Sequence, residues 1–333
     1  MSNVQDSTRA FGRAVAAALR CGDSHRPGAG GELRPIPERP PWRPRPARSS
    51  RPEFARANAG GIIAGRRARM WIDAHCHLGW FSDPAAVARA AAEKDLGLLA
   101  VTVTPDEFRA CHATLGSEKN VALAAGLHPW WVRDASDADA LCELLPGIRW
   151  VGEVGLDAAP RHAATWEAQL GAFERVCRVC ADTSPLDAPK VLSVHAVRSA
   201  GAALDVLERT GAAESCRCVL HWFSGSSDEL WRAVRLGCLF SFGERALATR
   251  RGREYARVLP IERLLTETDL PPSEGSAEGA SDIVGSLGPS VAAIALARGM
   301  EASELRVLLA ANGAALGVPP ASGLFGAPRA RAK

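Results

Sequence analysis

The sequence predicts an α/β protein, a (β/α)8 TIM barrel of the metallo-dependent hydrolase type. Three observations carry that expectation. Eight short apolar runs recur between residues 70 and 271. Amphipathic stretches of helical length separate most of them, and metal-ligating side chains lie towards the same end of six of the eight. Continuous apolar runs suit strands buried on both faces, as in a parallel sheet covered by helices. Eight such strands in ~250 residues suit a closed barrel.

The runs, in order, are "MWIDAH", "GLLAVTVTP", "VALAAGLHP", "RWVGEVGLD", "VLSVHA", "CVLHWFSG", "GCLFSFG" and "LLTETDLP". Helical patterns occupy 84–95, 135–145, 163–182, 198–210 and 227–236, where apolar residues recur on one face. A doubly wound open sheet would carry a glycine-rich phosphate turn after its first strand. Here that strand ends in His-Cys-His instead. Residues 273–288, "SEGSAEGASDIVGSLG", read as a flexible loop before the last helices.

The net charge of +3 conceals a division. Residues 1–69 hold 14 arginines, no lysine and 5 acids, so 14 − 5 = +9; residues 70–333 hold 26 basic and 32 acidic residues, so 26 − 32 = −6. Proline at the density of "HRPGAGGELRPIPERPPWRPRPARSSRP" removes backbone donors and blocks helix and sheet. Residues 1–69 are therefore expected to be a disordered basic Arg/Pro-rich tail. Either that tail touches nucleic acid or an acidic partner, or the protein starts at Met70, the preferred reading. Residues 70–318 form the barrel and 319–333 a flexible tail. No apolar run approaches the ~18 residues of a membrane span. Nine cysteines without a regular framework fit a reduced, cytoplasmic protein without membrane partners.

Side chains alternate faces in an extended segment, so His75 and His77 point one way and Cys76 the other. His128 lies near the end of the third run, Glu153 in the fourth, His195 in the fifth, His221 in the sixth and Asp269 in the eighth. In a parallel barrel these ends surround one mouth. Imidazoles with carboxylates suit a borderline divalent ion such as zinc or manganese, and the set is large enough for two ions bridged by a carboxylate. Asp269 is placed to take a proton from metal-activated water. His25, His112 and His162 lack this placement and are expected at the surface.

Other residues have plainer readings. Cys177 and Cys180 share a helical face with apolar neighbours, and packing is favoured for them and for Cys216 and Cys218. Trp130, Trp131 and Trp222 follow strand ends and either stack bases or cover the barrel top. Glu267 shares a face with Asp269 and can support a ligand through a hydrogen bond. Arg198 either meets a phosphate or lies on the surface.

Taken in order, "DAHCHL", "GLHP", "GEVGLD", "VHAVR", "HWFSG" and "TETDLP" resemble the TatD family of metal-dependent deoxyribonucleases, over about residues 70–318. The resemblance implies a (β/α)8 barrel that cleaves phosphodiester bonds, typically 3′→5′ on single-stranded DNA, with two divalent ions (Mg, Mn or Zn). It implies that His75 and His77 hold the first metal, that Glu153 bridges, that His195 and His221 hold the second, that Asp269 is ligand and base, and that His128 lies near the scissile phosphate. Ala158-Ala159-Pro160 after "GLD", and Trp222 after His221, depart from the general pattern. That wording is similar to the TatD-like nucleases of Qat-type anti-phage defence systems, whose neighbours include an ATPase and a QueC-like enzyme. The rivals are an amidohydrolase-like deacylase, many of which carry a bridging lysine where Glu153 stands, and a catalytically silent nucleic-acid-binding subunit.

Overall fold

A computed structural model describes residues 70–319. The expected tail over 1–69 and residues 320–333 lie outside the described residues, as does His25. The strands are β1 (Trp71–Cys76), β2 (Leu96–Ala100), β3 (Val121–Leu123), β4 (Ala125–Leu127), β5 (Trp150–Asp157), β6 (Val191–Val197), β7 (Arg217–His221), β8 (Leu239–Phe242) and β9 (Leu264–Thr266). Every pairing is parallel, in the orders β1-β2-β3 and β4-β5-β6-β7-β8-β9. Only Ala124 separates β3 from β4, so the expected third strand is one strand broken in its middle.

Backbone hydrogen bonds bridge the two sheets at two seams. At the break, the chain following β2 reaches past β3: Thr102 N donates to Gly152 O at 3.0 Å, Glu153 N to Thr102 O at 2.8 Å, and His128 N to Val103 O at 2.9 Å. Gly126 makes that approach possible, since a Cβ there would fall 1.8 Å from Thr102 O. At the other seam, Asp269 N donates to His75 O at 3.0 Å and His77 N to Leu270 O at 2.8 Å. The last strand is thus tied to the first by the residues that carry the site.

The helices are α1 (Pro84–Glu93), α2 (Pro105–Leu115), α3 (Asp139–Leu144), α4 (Trp166–Thr183), α5 (Ala200–Arg209), α6 (Ala212–Ser215), α7 (Ser227–Arg235), α8 (Glu244–Ala248), α9 (Arg250–Val258), α10 (Ala280–Arg298) and α11 (Ala302–Ala315). Asp83, Thr104 and Ser226 accept hydrogen bonds from first-turn amides of α1, α2 and α7, which satisfies donors that would otherwise be orphaned. The pattern over 135–145 resolves into a 3-10 turn (Ala135–Ala138) and α3.

Inside the barrel, Ile72, Leu99, Ala122, Val191, Val219, Leu239 and Leu265 form one cluster. One side chain from each of so many strands can meet only on the ring's inner side. Ile72, Val191, Val219, Leu239 and Leu265 precede Asp73, Ser193, His221, Ser241 and Thr266 on their own strands, so apolar packing fills the floor and leaves the strand ends to the chemistry. The outer layer between sheet and helices includes Cys177, Cys180, Cys216 and Cys218, all buried. Packing is therefore the role the fold gives these thiols.

Residues 273–288 differ from expectation. Helix α10 starts at Ala280, where Asp282 Oδ2 accepts from Gly279 N at 2.8 Å. Ile283 and Leu287 are fully buried, and their packing outweighs the glycines and serines around them. At 19 residues with mean hydropathy 1.4, α10 is also long and apolar enough to cross a membrane by composition. Its Ile283, Leu287, Val291 and Ile294 are spent on the protein core.

Candidate metal centre

All seven residues expected at the site meet at the mouth of the barrel. His75 is fully buried, and its Nδ1 lies 2.8 Å from Ser193 Oγ on β6. A proton on Nδ1 donating to that hydroxyl leaves the Nε2 lone pair facing Glu153 and Asp269. The His75 ring stacks on His221 at 4.0 Å, and His77 stacks on Trp80 at 4.1 Å. Asp269 sits at φ +59°. Buried Asp73 fixes the segment before it: Oδ1 accepts from His75 N and Thr268 N, each at 3.1 Å, and Oδ2 from Thr268 Oγ1 at 2.5 Å.

Four atoms then converge. His75 Nε2 lies 3.5 Å from Glu153 Oε2 and 3.6 Å from Asp269 Oδ1; His77 Nε2 lies 3.5 and 3.3 Å from the same two oxygens. These spacings are too long for good hydrogen bonds. They are close to the ~3.4 Å between neighbouring ligand atoms around an ion with ~2.1 Å bonds, and the donor atoms of His75, His77 and Asp269 all fall within 4.8 Å of one another. His75 Nε2 is buried and has no hydrogen-bond partner among the described residues, an arrangement that a cation would satisfy. The residues present therefore fit a divalent ion.

The other oxygen of Glu153 serves a second group. Oε1 lies 2.6 Å from His195 Nδ1, 2.7 Å from His221 Nε2 and 3.5 Å from His128 Nε2. The first two are hydrogen-bond distances, so this half is drawn tighter than the first. Donor atoms of His128, Glu153 and His195, and of His75, Glu153 and His221, each fall within 4.8 Å of one another. One carboxylate thus faces two sets of imidazoles.

The electrostatics favour ionised carboxylates among buried rings. Burial alone would raise the Glu153 carboxyl, but His128, His221 and His75 hold it well below the usual range. Asp269 is held at about 2, burial being outweighed by His77 and His75. Burial pushes His75 and His128 down to about 4, which keeps both neutral at physiological pH. His221 goes the other way, to about 9: burial opposes the shift and attraction to Glu153 overcomes it. Glu267 is raised to about 8 by burial. Its Oε1 accepts from Trp222 N at 3.0 Å, Ser241 Oγ donates to its Oε2, and His221 Nδ1 lies 3.8 Å from that oxygen. The expected supporting position behind a strand-end histidine is where the fold puts it.

A cavity of about 370 Å³ opens over these groups, rimmed by Trp80, Trp130, Trp222, Arg161 and Arg245. Trp131 packs beside the His128 ring at 5.7 Å and does not line the cavity. Arg198 is exposed and outside the lining. His112 is exposed as expected. His162 is not a plain surface residue: it stacks on Trp130 at 5.1 Å, with Nε2 3.8 Å from Asp157 Oδ2. It lies in a 3-10 segment, Pro160–Thr165, that a rule about strand ends does not reach.

Sequence reasoning missed Asp157, Ser193, Arg161 and Arg245. Asp157 is fully buried and accepts from Trp130 Nε1 at 2.5 Å and from Ala159 N at 2.8 Å, with His195 Nε2 at 3.7 Å. Parity could have found it, because residues 153, 155 and 157 share a face of β5. The arginines carry no such signal.

Comparison with known proteins agrees with this geometry. The family model described as TatD related DNase matches residues 72–316. The chain is 29% identical over 213 residues to an uncharacterized metal-dependent hydrolase, YcfH, of Escherichia coli K12, covering 60% of this chain and 77% of the relative. It is 32% identical over 200 residues to the 3′-5′ ssDNA/RNA exonuclease TatD of Edwardsiella piscicida, covering 56% and 73%. The crystal structure of YjjV, a TatD homolog from Escherichia coli K12, superposes with a TM-score of 0.63 at 23% identity, over 76% of this chain and all of that one. With a family model matched across the whole barrel, the chain belongs to the TatD related DNase family.

Proposed function

We propose that this protein hydrolyses phosphodiester bonds in nucleic acid, 3′→5′ on single-stranded DNA, using two divalent ions (Mg, Mn or Zn). The observation that supports it most is Glu153, whose two oxygens face two separate imidazole sets within a chain of this family. His75, His77, Asp269 and Glu153 would hold one ion, and Glu153, His195 and His221 the other. When bound, such ions polarise a phosphoryl oxygen and lower the pKa of a coordinated water.

The chain's own groups do the rest. Asp269 is ionised at neutral pH, and its Oδ2 faces the mouth, 3.9 Å from Arg245 Nη1, so it can accept the water's proton. His128 Nδ1 accepts from Trp130 N at 3.2 Å, which places its ring proton on Nε2 as a donor for a phosphate oxygen. Asp157 holds the Trp130 indole at the rim, and Trp130 and Trp222 offer faces on which bases stack, worth ~1–3 kcal/mol each. The relative from Edwardsiella piscicida is named for this activity. The residues after "GLD" and after His221 support a specialised member of the family, in an anti-phage system of the Qat type alongside an ATPase and a QueC-like enzyme.

The test is cleavage of 3′- and 5′-labelled single-stranded DNA by the purified chain with Mn²⁺ or Mg²⁺. Loss of the reaction with chelator and in a folded Glu153→Ala variant supports the proposal. Metal uptake without cleavage of any nucleic acid contradicts it.

A further inference from the structure

The described residues carry 23 basic and 32 acidic side chains, so 23 − 32 = −9. Against that background, residues 245–257 hold five arginines and one acid. It belongs to α8 and α9, directly after β8 on the mouth side, which with Glu244 included hold five arginines and two acids. Arg245 lines the cavity, with its guanidinium carbon 5.6 Å over the Trp222 ring. Arg251 Nη1 reaches Ser224 O at 3.4 Å, and Ser224 also lines the cavity. Arg250 and Arg251 are exposed, and neither forms an ion pair among the described residues. The remaining two arginines are engaged: Arg253 bonds Leu247 O and Ala248 O, and Arg257 pairs with Glu254.

On the opposite rim a single arginine, Arg161, lines the cavity. Arg161 lies 4.8 Å over Trp130, donates to His162 Nε2 at 2.9 Å and faces Asp157 at 3.6 Å. Its charge is matched by a buried carboxylate, and its plane is stacked. Arg245 is partnered in a similar way, its Nη1 3.9 Å from Asp269 Oδ2, but beyond it Arg250 and Arg251 extend exposed positive charge, without an ion pair among the described residues, over the loops after β7 and β8.

We infer that Arg245, Arg251 and Arg250 form a track for the phosphates of a single-stranded polynucleotide outside the reaction site. The uncleaved part of the strand leaves the cavity past Trp222 and Ser224 and runs along the first turn of α9. Its backbone is held there by charge alone, without base readout. This inference rests on the proposed nucleic-acid substrate and adds the route of the strand. It also accounts for how a negatively charged barrel holds a polyanion: the attraction is concentrated at one exit.

The experiment measures binding of fluorescein-labelled dT15 by anisotropy, in EDTA to prevent cleavage, across a salt series. The proteins are the full chain, Arg250→Ala/Arg251→Ala and Arg250→Lys/Arg251→Lys. Each phosphate contact on a single strand contributes ~0.7 to the slope of log affinity against log salt. Loss of two contacts should lower the slope by ~1.4 and weaken binding at 0.1 M salt by about 25-fold. The lysine pair should stay near the parent, which excludes misfolding as the cause. An alanine pair with the parent's affinity and slope overturns the track. So does an Arg161→Ala variant that alone removes the slope. Hydrolysis of bis(p-nitrophenyl) phosphate by the parent with Mn²⁺ reports on the site separately. If that reaction proceeds while the alanine pair binds dT15 normally, the track fails and the proposed activity stands. If no ester is cleaved but the slope falls as expected, the activity fails and the polyanion surface stands.

Discussion

Replacing Ser193 by alanine removes one hydroxyl from a fully buried position without enlarging any group. That hydroxyl is the partner of His75 Nδ1 at 2.8 Å. In its absence the ring loses the bond that sets its tautomer, and a buried Nδ1–H is left unsatisfied, at about 1–3 kcal/mol of stability. Stacking on His221 at 4.0 Å should keep the ring roughly in place. The defect then falls on ligand orientation and basicity, for which a lost supporting partner costs ~10–100-fold in metal affinity. That range is about 1.4–2.7 kcal/mol. Titration calorimetry with Mn²⁺ or Zn²⁺ at pH 7.5 measures it, with a thermal melt of the metal-free protein as companion. Metal affinity equal to the parent's would refute the idea that Ser193 fixes a coordinating tautomer.

Further outcomes follow from the same geometry. Gly126→Ala would place a methyl 1.8 Å from Thr102 O and 2.6 Å from Glu153 N, so the seam beside the site must open. A loss of more than ~4 kcal/mol in denaturant unfolding is expected, and near-parent stability would contradict the seam. Metal uptake should release protons at neutral pH, because His221 is raised to about 9 by Glu153 and an imidazole must be neutral to ligate. Apparent affinity should thus climb with pH up to about 9, roughly tenfold per unit if one proton is displaced. A flat affinity between pH 6.5 and 8.5 would be inconsistent with a protonated His221. In the metal-free protein, His75 and His128 titrate near 4 when folded and 6.5 when free. The unfolded chain then binds more protons between those values, so their contribution is present above pH 6.5 and is lost as pH falls towards 4. Urea unfolding midpoints across pH 4–7 check the sign. Cys177→Ser should destabilise by about 1–3 kcal/mol through an unpaired buried hydroxyl and leave turnover unchanged; lost turnover in folded protein would give that thiol a chemical role.

What the sequence revealed, and what it hid, follows physical lines. The strand ends were legible because burial on both faces writes each strand as an unbroken apolar run, and a polar side chain ending such a run stands out. Glu153, His195 and His221 were found that way. Asp157 was overlooked because the glycines and leucine around it read as more strand, although it shares the inward face of Glu153. Arg245 and Arg251 were hidden because α8 and α9 carry two or more charges each, and which charge faces the mouth depends on how they fold back over β8. The same limit applies to α10: "SDIVGSLG" has a loop's composition, and only the burial of Ile283 and Leu287 makes it helical. The break at Ala124 has no sequence mark, because it is set by the chain after β2 bonding across to β5.

The most direct test is anomalous diffraction from crystals grown with Mn²⁺ or Zn²⁺, collected on both sides of the metal's absorption edge. The expected result is a peak about 2.1 Å from His75 Nε2, His77 Nε2, Glu153 Oε2 and Asp269 Oδ1, with a second beside Glu153 Oε1, His195 and His221. Ordered side chains in their present positions with no anomalous signal among them would contradict a metal centre at this mouth.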